Sequence, residues 1–358
     1  MSYTIPIGPY HIALEEPYKI ELECEGEDVV GSSIKVGFNF RGIEWLAERK
    51  NITQCIALLE RVCGICSNVH GMSFCMGLER IGNIEVPERG QHIRMVMAEL
   101  ERLHSHLLWA GVASELIGFE TLFMQIFRLR ESVMDTLESI SGNRVNYSMN
   151  RIGGVNRDIV DDTKIREVSQ AIRAVTEGTL IPLLTTDQTV MARCKGVGVL
   201  IRQEAIAYGA VGPVARASGV DTDLRRDQPY LAYGKIDFAV PVQTAGDVLA
   251  RVVVRALEIV ESCKIIDQVL DRMPQGPIHA GDIYFVQEGN AVVRIEAPRG
   301  EVFYYLASNG TDTPLRVKVR TPSFANIPTV TAMVRKNTIA DVPLIQAALD
   351  PCYSCTDR

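Results

Sequence analysis

The protein has 358 residues, 47% of them hydrophobic, which is enough to bury a large core in one or two domains. Its 37 basic and 44 acidic residues give a net charge of −7, so the chain lacks the electrostatic attraction to phosphate that nucleic-acid-binding proteins use. No apolar run approaches the ~20 residues that span a bilayer, and the start has no signal-peptide pattern. We therefore expect a cytoplasmic protein without a nucleic-acid partner, which meets any membrane through other subunits.

Hydrophobic periodicity separates a short β region at the N-terminus from a long helical region. Apolar and polar residues alternate between positions 18 and 40, with a polar break at 25–28, and this pattern predicts a β-hairpin. Further along, apolar residues recur at spacings of three and four, and glycine-rich breaks mark turns. That spacing predicts helices over residues 44–60, 66–81, 88–117, 120–141, 162–184 and 243–272.

The C-terminal third returns to short apolar runs. They predict strands over residues 279–286, 291–297, 301–306 and 315–320, with a tight turn at 298–300. The predicted fold is therefore mainly α: a large helical bundle core with small antiparallel β-sheets at the N-terminus and in the C-terminal third. We expect a single domain over 1–358, with a β-rich segment at 1–43 and a β-rich insert at 279–330.

The nine cysteines are an odd number in a large chain without a secretion pattern, which favours reduced thiols over a disulfide framework. Five lie singly among apolar residues, where a buried, unreactive thiol is the usual outcome. These five are Cys24, Cys55, Cys75, Cys194 and Cys263. The other four form two Cys-x-x-Cys pairs, Cys63 with Cys66 and Cys352 with Cys355, near opposite ends of the chain.

Three kinds of site are compatible with two such pairs: a structural zinc site, a redox disulfide and a redox-metal centre. Structural zinc sites ordinarily use pairs about 15 to 20 residues apart, whereas 286 positions separate Cys66 from Cys352. A redox disulfide is typically found beside a βαβ unit, which neither pair shows. Thiolates are soft ligands that suit nickel or iron, so the spacing favours a redox metal without excluding the other two.

The residues around the cysteines resemble the metal motifs of the nickel–iron hydrogenase large subunit. Residues 61–70 match Arg-x-Cys-Gly-x-Cys-x-x-x-His, and residues 350–355 match Asp-Pro-Cys-x-x-Cys. Residues 40–44, 297–300 and 322–323 are similar to that family's Arg-Gly-Phe-Glu, Ala-Pro-Arg-Gly and Pro-Ser segments. The resemblance implies a hydrogenase large-subunit-like fold.

Other segments resemble the homologous quinone-site subunit of respiratory complex I. They are residues 8–11, 142–146, 153–155, 218–225 and 229–230. A chain that carries both signatures is similar to the group 4, energy-converting, membrane-bound hydrogenases, and the resemblance runs from about residue 6 to the end. It implies heterolytic H2 cleavage and proton reduction. The alternatives are a complex I-like quinone-reductase subunit, which lacks the four cysteines, and a non-catalytic zinc scaffold.

The resemblance also assigns the cofactor. It implies that all four paired cysteines bind nickel and that Cys66 and Cys355 bridge to an iron carrying cyanide and carbon monoxide. The two non-bridging sulfurs, those of Cys63 and Cys352, are then the candidate proton acceptors.

Further site residues follow from the same resemblance. Arg299 would donate hydrogen bonds to the diatomic ligands, Ser323 beside Pro322 would bind a cyanide, and His70 would support a bridging sulfur. By composition alone, Arg299 is typical of an exposed hairpin and His70 of a helix core. His104 and His106 cannot share a helix face, and we assign them no metal.

The resemblance places a proton-relay glutamate in the N-terminal segment, where Glu15 and Glu16 stand. We favour Glu15, although two acids before a proline are also typical of a solvated turn. Many family members bind magnesium through a terminal histidine and the glutamate that corresponds to Glu44. This chain ends in Arg358, which cannot ligate a metal, so Glu44 belongs either to a magnesium site or to an ion pair with Arg358.

The partners also follow from the resemblance. The remaining cysteines have no iron–sulfur ligand spacing, so we expect no cluster in this chain and a small iron–sulfur subunit beside it. The resemblance further implies additional iron–sulfur and integral membrane subunits, a ferredoxin as electron partner and a location at the cytoplasmic side of the cell membrane.

Overall fold

A three-stranded antiparallel sheet forms the N-terminal part of the computed structural model, which describes residues 2–12 and 14–358. Its strands are β1 (Ser2–Ile7), β2 (Lys19–Glu25) and β3 (Asp28–Lys35), in that spatial order. The β2–β3 hairpin confirms the predicted one. The sequence analysis missed β1, because Pro6 interrupts a short run of only six residues, and an edge strand tolerates a proline that a central strand does not.

Helices make up the middle of the chain. The first five are α1 (Ile43–Ala47), α2 (Ile52–Glu60), α3 (Ser67–Gly82), α4 (Glu88–Ile117) and α5 (Glu120–Ser141). After a small hairpin of β4 (Asn150–Arg151) and β5 (Gly154–Val155) come α6 (Thr163–Val175), a π-helical turn (Thr176–Leu180), α7 (Ile181–Thr186), α8 (Gln188–Cys194), α9 (Arg202–Ala207), α10 (Gly212–Ala217), α11 (Leu224–Asp227) and α12 (Val248–Asp271). The predicted helical region is confirmed.

The 30-residue helix α4 lies at the centre and packs against α5 and α12. It ends where Gly118 adopts a left-handed conformation with φ of 93°. Most of its residues are buried, including the charged side chains of Glu99, Glu101 and Arg102. A helix buried on nearly all sides brings polar groups into the interior, where each needs a partner.

The second sheet consists of β6 (Glu288–Ala297), β7 (Gly300–Asn309) and β8 (Arg316–Arg320). It is followed by α13 (Pro322–Asn326), α14 (Val330–Met333), α15 (Val342–Ala347) and α16 (Tyr353–Asp357). The predicted strand at 279–286 is wrong: this stretch makes only a single bridge, from His279 to Gly154, and Gly281 with φ of 114° breaks the extended backbone. A run of apolar residues cannot form a strand without a neighbouring edge.

One continuous apolar core extends from Tyr18 to Cys355 and includes both cysteine pairs. On this basis we propose a single domain, with its β-rich parts at the N-terminus and in the C-terminal third. The mainly α fold is confirmed. Among the described residues, no helix combines the length and the apolar character needed to cross a membrane.

Candidate metal centre

The four paired cysteines converge at one buried point. The sulfurs of Cys63 and Cys352 lie 3.6 Å apart, those of Cys66 and Cys355 3.7 Å apart, and those of Cys352 and Cys355 3.0 Å apart. Each residue is 2% exposed, and all are free thiols. The sulfurs of Cys63, Cys66 and Cys355 all lie within 4.8 Å of one another, so these three could hold one metal ion, and the Cys352 sulfur lies beside two of them.

The two Cys-x-x-Cys turns have the same local structure. In the first, the backbone N–H groups of Ile65 and Cys66 donate to the Cys63 sulfur, both at 3.3 Å. In the second, the N–H of Cys355 donates to the Cys352 sulfur at 3.3 Å. The turns lead into α3 and α16, so backbone N–H groups at the start of a helix donate to one sulfur in each pair.

The charge balance of the centre favours a bound cation. Hydrogen bonds from the thiols of Cys352, Cys355 and Cys66 lower the pKa of Cys63, whereas burial and the neighbouring sulfurs raise the pKa of Cys355. The protein alone therefore favours one thiolate in the group, because further negative charges repel each other in a buried site. A soft, positively charged metal would allow the other thiols to ionise, so this donor set fits nickel or iron.

Arg299 supplies a fixed positive charge at the centre. Its Nε donates to the carbonyl oxygen of Asp350 at 2.9 Å, and its Nη2 lies 2.8 Å from the Asp350 carboxylate. The turn that carries Arg299 packs directly on Gly212, where a Cβ atom would lie 2.4 Å from the Arg299 carbonyl oxygen. The third guanidinium nitrogen, Nη1, is buried and has no partner among the described residues, as expected of a donor kept for a bound group.

Ser323 and Pro322 stand at the start of α13, beside the second cysteine pair. The Ser323 hydroxyl oxygen accepts a hydrogen bond from the N–H of Cys352 at 2.9 Å, which leaves its proton available for another acceptor. Both residues are buried, and Pro322 begins the helix. The Ser323 hydroxyl can therefore donate a hydrogen bond to a group bound beside the second cysteine pair.

His70 contacts the centre from one turn along α3. Its Nε2 lies 3.8 Å from the Cys355 sulfur and its Nδ1 lies 2.7 Å from the hydroxyl of Tyr304. Burial lowers the pKa of His70 to about 4 and raises the pKa of Tyr304. A neutral imidazole that accepts from the tyrosine hydroxyl can donate to the sulfur, which fixes the orientation of the ring.

Glu15 and Glu16 approach from the N-terminal segment. The Glu16 carboxylate accepts from the N–H and hydroxyl of Ser354, at 2.8 and 3.1 Å, between the second pair of cysteines. Glu15 is exposed as a residue, yet crowding of its carboxyl by the surrounding protein and the charge on Asp350 raise its pKa to about 7. Glu16 therefore contacts the second cysteine pair's segment, whereas the charges nearest Glu15 are those of Asp350, Arg299 and Glu16.

Arg41 joins the two cysteine segments, a role that the sequence analysis did not assign. Its guanidinium donates to the carbonyl oxygens of Arg61 and Val62 before the first pair and of Ser354 within the second, at 2.7 to 2.8 Å. In the sequence, Arg41 was marked only by its position in residues 40–44, the segment similar to the family's Arg-Gly-Phe-Glu. Nearby, the N–H of Asn39 donates to the Asp357 carboxylate at 2.8 Å, so the N-terminal segment covers α16.

Glu44 and Arg358 lie within ion-pair distance. Arg358 Nε is 2.8 Å from one Glu44 oxygen, which also accepts from the N–H of Val319, and Lys318 is 2.9 Å from the other oxygen. These donors lower the pKa of Glu44 against the opposing effect of burial. We propose that the two cations neutralise Glu44 where a magnesium ion would otherwise do so.

Replacing Arg358 by alanine should test this proposal. Glu44 keeps Lys318, so we expect a loss of only about 1 kcal/mol in the free energy of unfolding. Added Mg²⁺ should stabilise the Arg358→Ala variant against heat and leave the parent protein unchanged, because a carboxylate released from its ion pair can bind a hard cation. The control is Arg316→Ala, which removes an ion pair to Glu48 at 2.7 Å. An equal Mg²⁺ effect on all three proteins would contradict the proposal.

Family models match both parts of the chain. Residues 117–288 and 282–358 match the 49-kDa subunit of respiratory-chain NADH dehydrogenase, and residues 41–110 match the nickel-dependent hydrogenases. The chain belongs to the group 4 hydrogenase and complex I-related family. The first cysteine pair lies in the segment that matches the nickel-dependent hydrogenases. The second pair lies in a segment that matches the NADH dehydrogenase subunit.

Individual members of the family align over the whole chain. A carbon monoxide-induced hydrogenase of Rhodospirillum rubrum is 42% identical, over 100% of this chain and 99% of its own. The membrane-bound hydrogenase subunit alpha of Pyrococcus furiosus is 40% identical, over 99% of this chain and 87% of its own. A chain in the structure of an archaeal membrane-bound sulfane sulfur reductase superposes with a TM-score of 0.94 at 34% identity, covering 100% of this chain and 98% of that one.

Proposed function

We propose that this protein is the catalytic subunit of a membrane-bound, energy-converting hydrogenase that interconverts H2 with protons and electrons. The observation that carries the proposal is the convergence of four buried cysteine sulfurs from both ends of the chain. The names of the relatives from R. rubrum and P. furiosus, both hydrogenases, support it. A quinone-reducing member of the same family would have no need of four converging thiols.

In this proposal, the four cysteines would hold nickel, and Cys66 and Cys355 would also hold an iron that carries cyanide and carbon monoxide. When bound, this pair of metals supplies the heterolytic cleavage of H2. The unpaired Nη1 of Arg299 and the hydroxyl of Ser323 would hold the diatomic ligands, and Pro322 would fix the backbone beside them.

The protein's own groups then move the proton. The sulfurs of Cys63 and Cys352, which do not bridge, would accept it, and the buried guanidinium of Arg299 would offset negative charge in the centre. Glu16 would take the proton next, because its carboxylate contacts Ser354 within the second pair. Glu15 would pass it to solvent, and a pKa of about 7 suits that exchange near neutral pH.

Replacing Glu16 by glutamine should slow H2 oxidation about 100-fold or more, because an amide can accept from Ser354 but cannot carry a proton. Nickel and iron contents should stay at parent levels. Hydrogen-dependent dye reduction and metal analysis measure the two quantities. The matched control is Glu25→Gln on β2, which should leave the rate unchanged; a Glu16→Gln variant as active as that control would remove Glu16 from the relay.

Electrons would leave through other subunits. Outside the cysteine centre, the described residues contain no close cluster of cysteine, histidine and acidic side chains that could bind an iron–sulfur cluster. We propose a small iron–sulfur subunit as the immediate electron partner, with ferredoxin as the final one. Integral membrane subunits would hold the complex at the cytoplasmic face of the membrane and couple the reaction to ion translocation.

The metal content of the purified complex tests the proposal. Equimolar nickel and iron in this subunit, with infrared bands of metal-bound cyanide and carbon monoxide, is the expected result. Zinc alone would assign the four thiols to a structural site, as in the zinc-scaffold hypothesis. No metal, together with quinone reduction, would assign the chain to the complex I-like branch of the family.

A further inference from the structure

Several buried polar atoms between the first cysteine pair and a surface cavity have no hydrogen-bond partner within the described part of the chain. They are Ser67 Oγ, Asn68 Nδ2, Asn150 Oδ1, Glu60 Oε1 and the Tyr147 hydroxyl. Each of these residues is at most 2% exposed. Buried polar atoms in native proteins are paired, and where no protein group serves, ordered water does. A group of such atoms therefore indicates a hydrated path through the interior.

Glu101 lies at the inner end of this path. Its carboxyl oxygens accept from the N–H groups of Asn68 and Val69, at 2.7 and 3.1 Å, in the first turn of α3 directly after Cys66. The residue is fully buried on α4 and has no cationic partner among its hydrogen bonds. It approaches the first cysteine pair, whereas Glu16 approaches the second.

Glu60 lies at the outer end. Its Oε2 accepts from the N–H and hydroxyl of Ser148, at 3.2 and 3.4 Å. Both residues line a cavity of about 320 Å³ whose wall also includes Asn150 and the exposed Asp282. Asn150 in turn donates to the side-chain oxygen of Asn68 at 2.7 Å, which connects the cavity to the residue that Glu101 contacts.

We propose that Glu101 and Glu60 are the two acid–base groups of a second proton path, which connects the first cysteine pair to this cavity. The inference rests on the proposed function, because it moves the protons of that reaction. In the first step the S–H bond of a protonated cysteine breaks as an O–H bond forms on Glu101. At each later step one O–H bond breaks as another forms, through water beside Asn68 and Asn150, then at Glu60 and finally in the solvent of the cavity. No electron moves in these steps.

The charges around the two carboxyls support this order. Burial and the negative charges of Cys63 and Glu60 raise the pKa of Glu101, against the N–H donors of Asn68 and Val69. Burial raises the pKa of Glu60 to about 7, against the donors of Ser148 and the charge of Arg61. Burial therefore favours the protonated form of Glu101 more than in a solvated glutamate, and Glu60, with a pKa of about 7, exchanges protons with solvent near neutral pH.

The test uses the intact, metal-loaded complex. Glu101→Gln should lower the rate of isotope exchange between H2 and D2O about 10-fold or more and increase the solvent isotope effect on H2 oxidation. Nickel and iron contents and the infrared bands of the diatomic ligands should not change. The infrared C=O stretch of a buried carboxylic acid should disappear. Glu101→Asp should restore part of the rate, and Glu115→Gln, an exposed change on the same helix, should have no effect.

Glu60→Gln provides an independent second variant, with a slowed exchange expected. Parent rates in both Glu101→Gln and Glu60→Gln would overturn the inference and leave the proposed function intact. Loss of metal from Glu101→Gln without rescue by Glu101→Asp would assign Glu101 a structural role, which also overturns it. Absence of nickel and iron from the parent complex would overturn the proposed function and the inference together.

Discussion

Replacing Cys352 by serine should abolish nickel binding and hydrogen turnover together. The Cys352 sulfur lies 3.6 Å from the Cys63 sulfur and 3.0 Å from the Cys355 sulfur, so its loss removes one of the two contacts between the cysteine pairs and one donor from the centre. A serine hydroxyl is a hard, weakly acidic ligand that does not replace a thiolate on nickel. We expect activity to fall more than about 100-fold, beyond the usual effect of changing a residue that only supports a ligand.

Metal analysis and hydrogen-dependent dye reduction measure this prediction. The control is Cys55→Ser, a buried cysteine outside the centre whose sulfur donates to the carbonyl oxygen of Ala47 at 3.1 Å. A hydroxyl can make the same hydrogen bond, so this variant should keep its metals and activity. If Cys352→Ser retained nickel and full turnover, the four-cysteine assignment would be wrong.

Replacing Arg216 by methionine should cost about 3–5 kcal/mol in the free energy of unfolding. The Arg216 side chain is fully buried and lies 2.8 Å from Glu258 on α12 and 2.8 Å from Glu296 on β6, with Asp223 at 3.6 Å. Methionine fills a similar volume but leaves three buried carboxylates without this cation. The penalty comes from these uncompensated charges and not from lost packing.

Urea unfolding of the Arg216→Met variant measures this effect. Arg226→Met is the matched control, because Arg226 also contacts two carboxylates, those of Asp221 and Asp227, but its side chain is 40% exposed. Solvent screens these two ion pairs, so the Arg226→Met change should lower the free energy of unfolding by less than about 1 kcal/mol. Equal losses in the two variants would show that the buried network contributes no more than surface ion pairs do.

The sequence predicted the long helices well because their signals are local. Residues 88–117 and 120–141 coincide with α4 and α5, since apolar spacing, Pro87 and Gly118 all lie within the helices or beside them. The contacts of Arg41, Glu101 and Tyr304 were not predictable, because each joins residues far apart in the chain. Nothing in the neighbourhood of Glu101 distinguishes it from a solvated helix residue.

Which of Glu15 and Glu16 contacts the second cysteine pair also could not be predicted from the sequence. The sequence analysis favoured Glu15, and adjacent acids before a proline look alike by any local rule. Only the docking of α16 distinguishes them, because Ser354 meets Glu16 and not its neighbour. Both roles are proposals, and the Glu16→Gln variant tests that of Glu16.

The contacts between the two ends of the chain have a consequence for maturation. Glu16, Asn39, Arg41 and Glu44 all bind the last turn of the protein, and the four cysteines beneath it are almost inaccessible. If the four cysteines hold metals as we propose, the metals would enter before α16 docks, because the docked helix covers the sulfurs. The contacts of α16 with the N-terminal segment would then retain them.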